Sequence, residues 1–273
     1  IKFLEHRIGD KRILRLIRKW LRAGVSDEGE WSATTVGTPQ GAVASPLLAN
    51  VYLHYVLDLW LQWWRENRCR GDVVIVRYAD DFVIGFQSKT EAEACLAALH
   101  ERFGKFGLEL HPEKTRLIEF GRYAIANRRK CGEGRPETFD FLGFTHRCHI
   151  NTRGYFTVRR ATIATRMRTT LAAIKRELIR RRHRPLGATG RWLRRVLQGW
   201  LGSHAVPGNM RRLQQFRMAL GRLWRWQLLR RSQRSRWPWE RMDRLMDRHF
   251  PSLKILHPYP KVRFRARLEA GAV

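Results

Sequence analysis

Apolar residues recur at positions 1, 4, 8, 13, 16, 17, 20 and 21, a spacing that predicts an amphipathic helix capped at its C-terminal end by Gly24. A short extended piece follows (WSATTV, 31–36), then GTPQG at 37–41. Ser45-Pro46 predicts a helix start, with Ser as N-cap and Pro in the first turn, and the helix is expected to run to about Glu66. The period then shortens. VVIVRY (73–78) and FVIGF (82–86) predict two strands of a hairpin meeting at Ala79-Asp80-Asp81. Thr90 to Glu93 has the spacing of a capping box and opens an alanine-rich helix ending at Phe106 and Gly107. LELHPEKTRLIEF (108–120) predicts a strand interrupted by Pro112, and FDFLGF (139–144) another. Helices packed against an antiparallel sheet make this an α+β pattern.

After Thr157 the pattern becomes helical and basic. One helix is predicted over 159–182, and a break falls at Pro185-Leu186-Gly187. Two more helices are expected over 189–203 and 208–231, divided by Val206-Pro207-Gly208, and a last one over 239–249. The expected organisation is an α+β domain over 1–157, an all-helical basic domain over 158–260 and a tail over 261–273.

Composition sharpens this picture. The chain has 273 residues, 44% of them hydrophobic, which suits a folded protein with a sizeable core. Its formal net charge is +30. From residue 151 onward there are 31 Lys+Arg against 5 Asp+Glu; the preceding 150 residues hold 23 against 19. A helix face laced with ion pairs does not need such an imbalance, whereas a polyanionic partner does. Nucleic acid is the expected partner, with no membrane: the most apolar segment, near 47–64, carries His54 and Asp58 and reads as a core helix. Cys69, Cys95, Cys131 and Cys148 lie far apart, which speaks against a zinc site or a disulfide framework and fits an intracellular, cytoplasmic setting.

The chemistry concentrates at YADD, residues 78–81. Asp is common in solvated turns, and the tetrapeptide alone fits that reading equally well. Its flanks are apolar on both faces, as in covered strands, where neighbouring carboxylates repel. A divalent cation removes that repulsion, and Mg2+ takes one or two carboxylates together with waters and phosphates. Adjacent strand residues point to opposite faces, so Asp80 ranks as the principal ligand and Asp81 as the weaker one.

YADD, GTPQGAVASPLLANVYL (37–53), GLELHPEKTRL (107–117) and FDFLGF occur at spacings that resemble those of a group II intron reverse transcriptase. The basic helical segment ending in LHPYPKVRF resembles that family's thumb, or maturase domain. The resemblance implies a partial right-hand polymerase palm followed by the thumb, and RNA-directed DNA synthesis with two Mg2+ ions. It also implies binding of intron RNA and assistance in its splicing. Residue by residue, it makes Asp80 and Asp81 the catalytic, metal-binding carboxylates. Tyr78, Pro39, Gln40, Gly41 and Lys114 become contacts to template and incoming deoxynucleoside triphosphate. Leu142 and Gly143 become the primer grip. Arg180, Arg181, Arg182, Arg191, Arg194 and Arg195 become phosphate contacts on RNA or the RNA/DNA primer-template. Lys114 by residue type is equally a solvated surface lysine, and GTPQG alone is an ordinary turn. Of the thumb tryptophans, most are expected in the core and one or two against bases.

The family's first metal-binding aspartate lies on a strand that would precede residue 1, and neither Asp10 nor Asp27 has a matching context. The chain is therefore expected to be a fragment, inactive alone, of an active polymerase. The alternative is a catalytically inactive, maturase-like intron RNA-binding protein. A reverse transcriptase of the retron or diversity-generating type fits the long basic thumb less well.

Overall fold

The computed structural model describes residues 1–22, 25–27, 30–32, 44–260 and 262. It combines helices with small antiparallel sheets and divides into two compact units, Ile1–Leu117 and Ile118–Val273. Gly24 and Gly37 to Gly41 lie outside the described residues, as does most of the 261–273 segment.

The first unit opens with two helices, α1 (Lys2–Glu5) and α2 (Lys11–Arg22), where the apolar pattern predicts one. Asp10 divides them: its carboxylate accepts from the Arg12 backbone N–H at 2.8 Å and restarts the helix. Strands β1 (Val25–Asp27) and β2 (Glu30–Ser32) pair antiparallel. Helix α3 (Ser45–Leu53) has Ala44 as its N-cap, so Ser45 and Pro46 both sit inside the first turn. A π-helical turn, His54–Asp58, separates it from α4 (Leu59–Arg68), so the predicted single helix is bulged. The carbonyls of Val56 and Tyr55 in this turn accept from the Arg102 guanidinium at 2.7 and 3.3 Å. A π turn leaves carbonyls without their ordinary helical partners, and Arg102 supplies the missing donors.

Strands β3 (Val73–Tyr78) and β4 (Asp81–Phe86) form the predicted hairpin, in register from Val73 opposite Phe86 to Tyr78 opposite Asp81. Helix α5 (Lys89–Lys105) follows, with Ser88 rather than Thr90 at its cap. Ile75, Phe82, Ile84 and Phe86 pack on a core of Val56, Leu57, Leu61, Cys95, Leu99, Phe103 and Leu110. On the hairpin's other face Val74 and Val76 are exposed, with no helix of the described residues packed on them. The expectation of strands covered on both faces is thus corrected: in a two-stranded sheet the helices cover one face only. Residues 108–120 form no strand, because Pro112 offers no N–H and the His111 carbonyl closes a turn with the N–H groups of Lys114 and Thr115.

The second unit contains α6 (Ala124–Lys130) and a three-stranded sheet of β5 (Phe139–Phe141), β6 (Phe144–Ile150) and β7 (Phe156–Thr162). Helices α7 (Ala164–Arg180), α8 (Leu186–His204), α9 (Met210–Leu229) and α10 (Trp239–His249) follow. The predicted helix start at 159 gives way to strand, because Arg159 to Thr162 complete β7 opposite β6. The turn between them is built by the Asn151 side chain, which accepts from the N–H groups of Arg153 and Tyr155. Thr162 N–H donates to Asn209 Oδ1 at 2.9 Å, tying β7 to the start of α9. The sheet and the helices thus fall within one compact unit, Ile118–Val273. Leu193, Leu197, Leu213, Phe216, Leu220, Trp224 and Met242 form the centre of the helical core. The segment after α10 folds back on α8, with the N–H groups of Leu256 and His257 both donating to the Ala205 carbonyl.

Candidate active site

Ala79 and Asp80 alone make the loop of the β3–β4 hairpin, and Asp81 is the first residue of β4. Ala79 has φ 55°, a left-handed conformation that a residue with a Cβ adopts reluctantly. Asp80 and Asp81 are exposed at this tip beside Tyr78, itself 65% exposed. Neither carboxylate has a hydrogen-bond or ion-pair partner among the described residues. Two neighbouring carboxylates in an apolar hairpin therefore carry no burial cost: the strands hold them at the solvated end.

Arg77, one residue before Tyr78, faces the helices. Its Nε and Nη2 donate to the two Asp58 carboxylate oxygens at 2.6 and 2.7 Å. Nη1 donates to Asn50 Oδ1 and to the Ala79 carbonyl, both at 2.8 Å. The Asp58 pair raises the pKa of Arg77 above its ordinary value. Sequence reasoning missed this cluster, because its members lie 19 and 27 residues apart and no local spacing announces them.

The donor chemistry of the tip fits Mg2+, which takes one or two carboxylates and completes its shell with water and phosphate oxygens. Among the described residues no group of three or more His, Cys, Asp or Glu side chains forms a larger ligand cluster. Asp80 and Asp81 thus offer part of a shell.

The other predicted residues fall in several places. Lys114 is exposed on the turn after His111, and Pro39, Gln40 and Gly41 lie outside the described residues. Leu142 and Gly143 are the two-residue loop between β5 and β6, both with positive φ, 51° and 83°. That is the backbone of a type I′ turn, for which Gly is suited and Leu is not. A Cβ on residue 143 would collide with the Arg166 guanidinium, so a cation lies directly on this turn.

On the helices, Arg180, Arg191, Arg194 and Arg195 are exposed. Arg181 pairs with Glu177 at 2.7 Å and lies over the Trp192 ring, and Arg182 donates to Gln227. Those two guanidinia are engaged within the protein. Trp200, Trp224 and Trp237 are buried, whereas Trp226 is 49% exposed with Arg230 stacked on it at 4.6 Å. On α9, Arg211, Gln214, Gln215, Met218 and Arg222 line a shallow surface hollow that sequence reasoning did not single out. The helical spacing of 211, 215, 218 and 222 is the signal that would have found it.

An antiparallel hairpin with paired carboxylates at its tip is followed along the chain by a basic helical unit. The reverse transcriptase (RNA-dependent DNA polymerase) family model matches residues 2–146, more than half of the chain, and the chain belongs to that family. It is 31% identical over 172 residues to protein YkfC of Escherichia coli, covering 50% of this chain and 44% of that protein. It is 50% identical over 168 residues to an uncharacterized 91 kDa protein in a cob intron of Schizosaccharomyces pombe, covering 43% and 21%. Over 71 residues it is 41% identical to the group II intron-encoded protein LtrA of Lactococcus lactis, covering 24% and 12%. The resemblance to group II intron reverse transcriptases and maturases is thereby borne out. The chain spans less than half the length of these curated relatives. Among the described residues, no helix is long and apolar enough to cross a membrane.

Proposed function

We propose that this chain carries the carboxylate hairpin and the thumb of a group II intron reverse transcriptase, which copies RNA into DNA and assists splicing of its intron RNA. The observation that carries the reading is the pair of exposed carboxylates, Asp80 and Asp81, presented at the tip of an anchored hairpin with no ion-pair partner among the described residues. Two bound Mg2+ ions would stabilise the attacking and leaving oxygens of phosphoryl transfer. Asp80 serves as principal ligand and Asp81 as second. Tyr78, Pro39, Gln40, Gly41 and Lys114 contact template and deoxynucleoside triphosphate, and Leu142 and Gly143 hold the primer. In this reading the palm extends over residues 1–157, and the helices of 158–260 bind RNA through Arg180, Arg191, Arg194 and Arg195, with Arg181 and Arg182 supporting them.

With two carboxylates and no third among the described residues at the tip, residues 1–273 alone are expected to be inactive. The test is RNA-templated primer extension with Mg2+, by this chain and by the protein of its full reading frame. Synthesis by the full frame and none by this chain is expected; robust synthesis by residues 1–273 alone overturns the missing-ligand account. The same two-carboxylate set favours a second reading, a maturase-like RNA-binding protein without polymerase activity. Intron RNA binding with no extension by the full frame would establish it.

A further inference from the structure

We propose that Arg77 is a positioning residue for the metal-binding tip: anchored by Asp58, it holds the Ala79 carbonyl and so fixes the direction in which Asp80 and Asp81 point. The inference rests on the metal-binding reading of that tip.

The local backbone needs such a hold. Ala79 is left-handed at φ 55°, and a two-residue loop with a Cβ at that position relaxes unless its surroundings over-determine it. The Ala79 carbonyl is the last backbone acceptor before Asp80, and Arg77 Nη1 donates to it at 2.8 Å. The guanidinium is planar, so its other contacts fix the plane from which that bond is made. Three of them come from the helical layer: both oxygens of Asp58 and Oδ1 of Asn50. Asn50 is itself held, donating to the Pro46 carbonyl at 3.0 Å.

The anchor is rigid. Asp58 ends the π turn, whose Val56 and Leu57 side chains are wholly buried and whose Tyr55 and Val56 carbonyls are bound by Arg102. Strain in the loop is thus tied through one side chain to the best-packed part of the first unit. Charge matters as much as shape. An unpaired arginine three residues before Asp80 would act as a counter-ion for Asp80 and Asp81 and compete with a metal. Asp58 neutralises it at 2.6 Å, leaving the two carboxylates to a cation from solution.

The experiment is Mn2+ titration of residues 1–273, with unbound Mn2+ read by electron paramagnetic resonance and folding followed by circular dichroism. Asp80→Ala tests the underlying reading, and an unchanged Mn2+ affinity in that variant would overturn the metal site itself. Arg77→Lys keeps a charge beside Asp58 but cannot reach Asp58, Asn50 and Ala79 together. It is expected to weaken Mn2+ binding roughly 10-fold to 100-fold, the range for second-layer partners of metal ligands. Asp58→Asn, nearly isosteric, keeps the test open should the lysine variant melt, and it is expected to weaken binding in the same range. Adding Ala79→Gly to Arg77→Lys removes the left-handed penalty and is expected to restore part of the affinity, which a merely structural role for Arg77 would not produce. Mn2+ affinity within about twofold of wild type in both single variants overturns the proposal, as does weakening without any recovery by Ala79→Gly.

Discussion

The two units solve opposite problems. Residues 1–117 hold 17 Lys+Arg against 15 Asp+Glu, while residues 118–273 hold 37 against 9. The first unit is nearly neutral, covers one face of a hairpin and leaves two carboxylates at its open tip. The second carries almost all of the positive excess and needs a core able to hold like-charged helices together. It has one, built from Leu213, Phe216, Leu220, Trp224 and Met242, with Trp200 stacked on Phe216 at 4.1 Å. Some of its arginines reinforce that core rather than oppose it: Arg181 lies on Trp192 and Arg241 on Trp237. The difference teaches that the exposed carboxylate pair and most of the positive charge lie on different units of this chain, so the two roles proposed for them can be tested separately.

Truncating the helical core gives the largest expected effect. Phe216 is wholly buried, and Phe216→Ala is expected to cost about 3–5 kcal/mol, the range for an aromatic lost from a packed interior. Denaturant unfolding should then show the second unit melting early with RNA affinity lost, while hydrogen exchange of the β3–β4 hairpin stays at its wild-type level. Concerted loss of protection in both units would break the comparison.

Acid sharpens it with a smaller effect. Burial is the leading cause that pushes the pKa of His146, His204 and His249 down, and all three lie in the second unit. Nearby cations add to this: Arg160 at His146, Arg166 at His204, and Arg248, Arg191 and Arg194 at His249. A histidine depressed in the folded state takes its proton first in the unfolded chain. Stability is therefore full above about pH 6.5, the ordinary histidine value, and falls as pH drops below it towards the folded-state pKa values. Thermal melts at about pH 7.5 and about pH 5.5 should show a lower Tm for the second unit in acid. An unchanged or higher Tm in acid would contradict the lowered pKa of these rings.

Much of this was legible in the sequence, for local reasons. The β3–β4 hairpin followed from two apolar runs meeting at Ala79-Asp80-Asp81. The helices α8 and α9 followed from breaks at Pro185 and Pro207. What stayed hidden depends on distant partners. Arg159 and Arg160 read as the start of a basic helix, yet pairing with His146 and Arg147 makes them strand. The π turn interrupts an unbroken apolar pattern because Arg102, far along the chain, takes its carbonyls. The openness of the metal-site candidate was misread for the same reason: apolar residues on both strand faces do not say which face the helices cover. The Arg77–Asp58–Asn50 cluster gave no signal at all.

The central claim is that the carboxylate tip performs the chemistry while the basic unit holds the nucleic acid. It is tested most directly by Asp80→Ala in the protein of the full reading frame, with primer extension and intron RNA affinity measured on the same preparation. Extension should be abolished, with RNA affinity and melting temperature within error of wild type, since the substituted side chain is exposed and has no partner among the described residues. Extension retained at the wild-type rate would contradict the account.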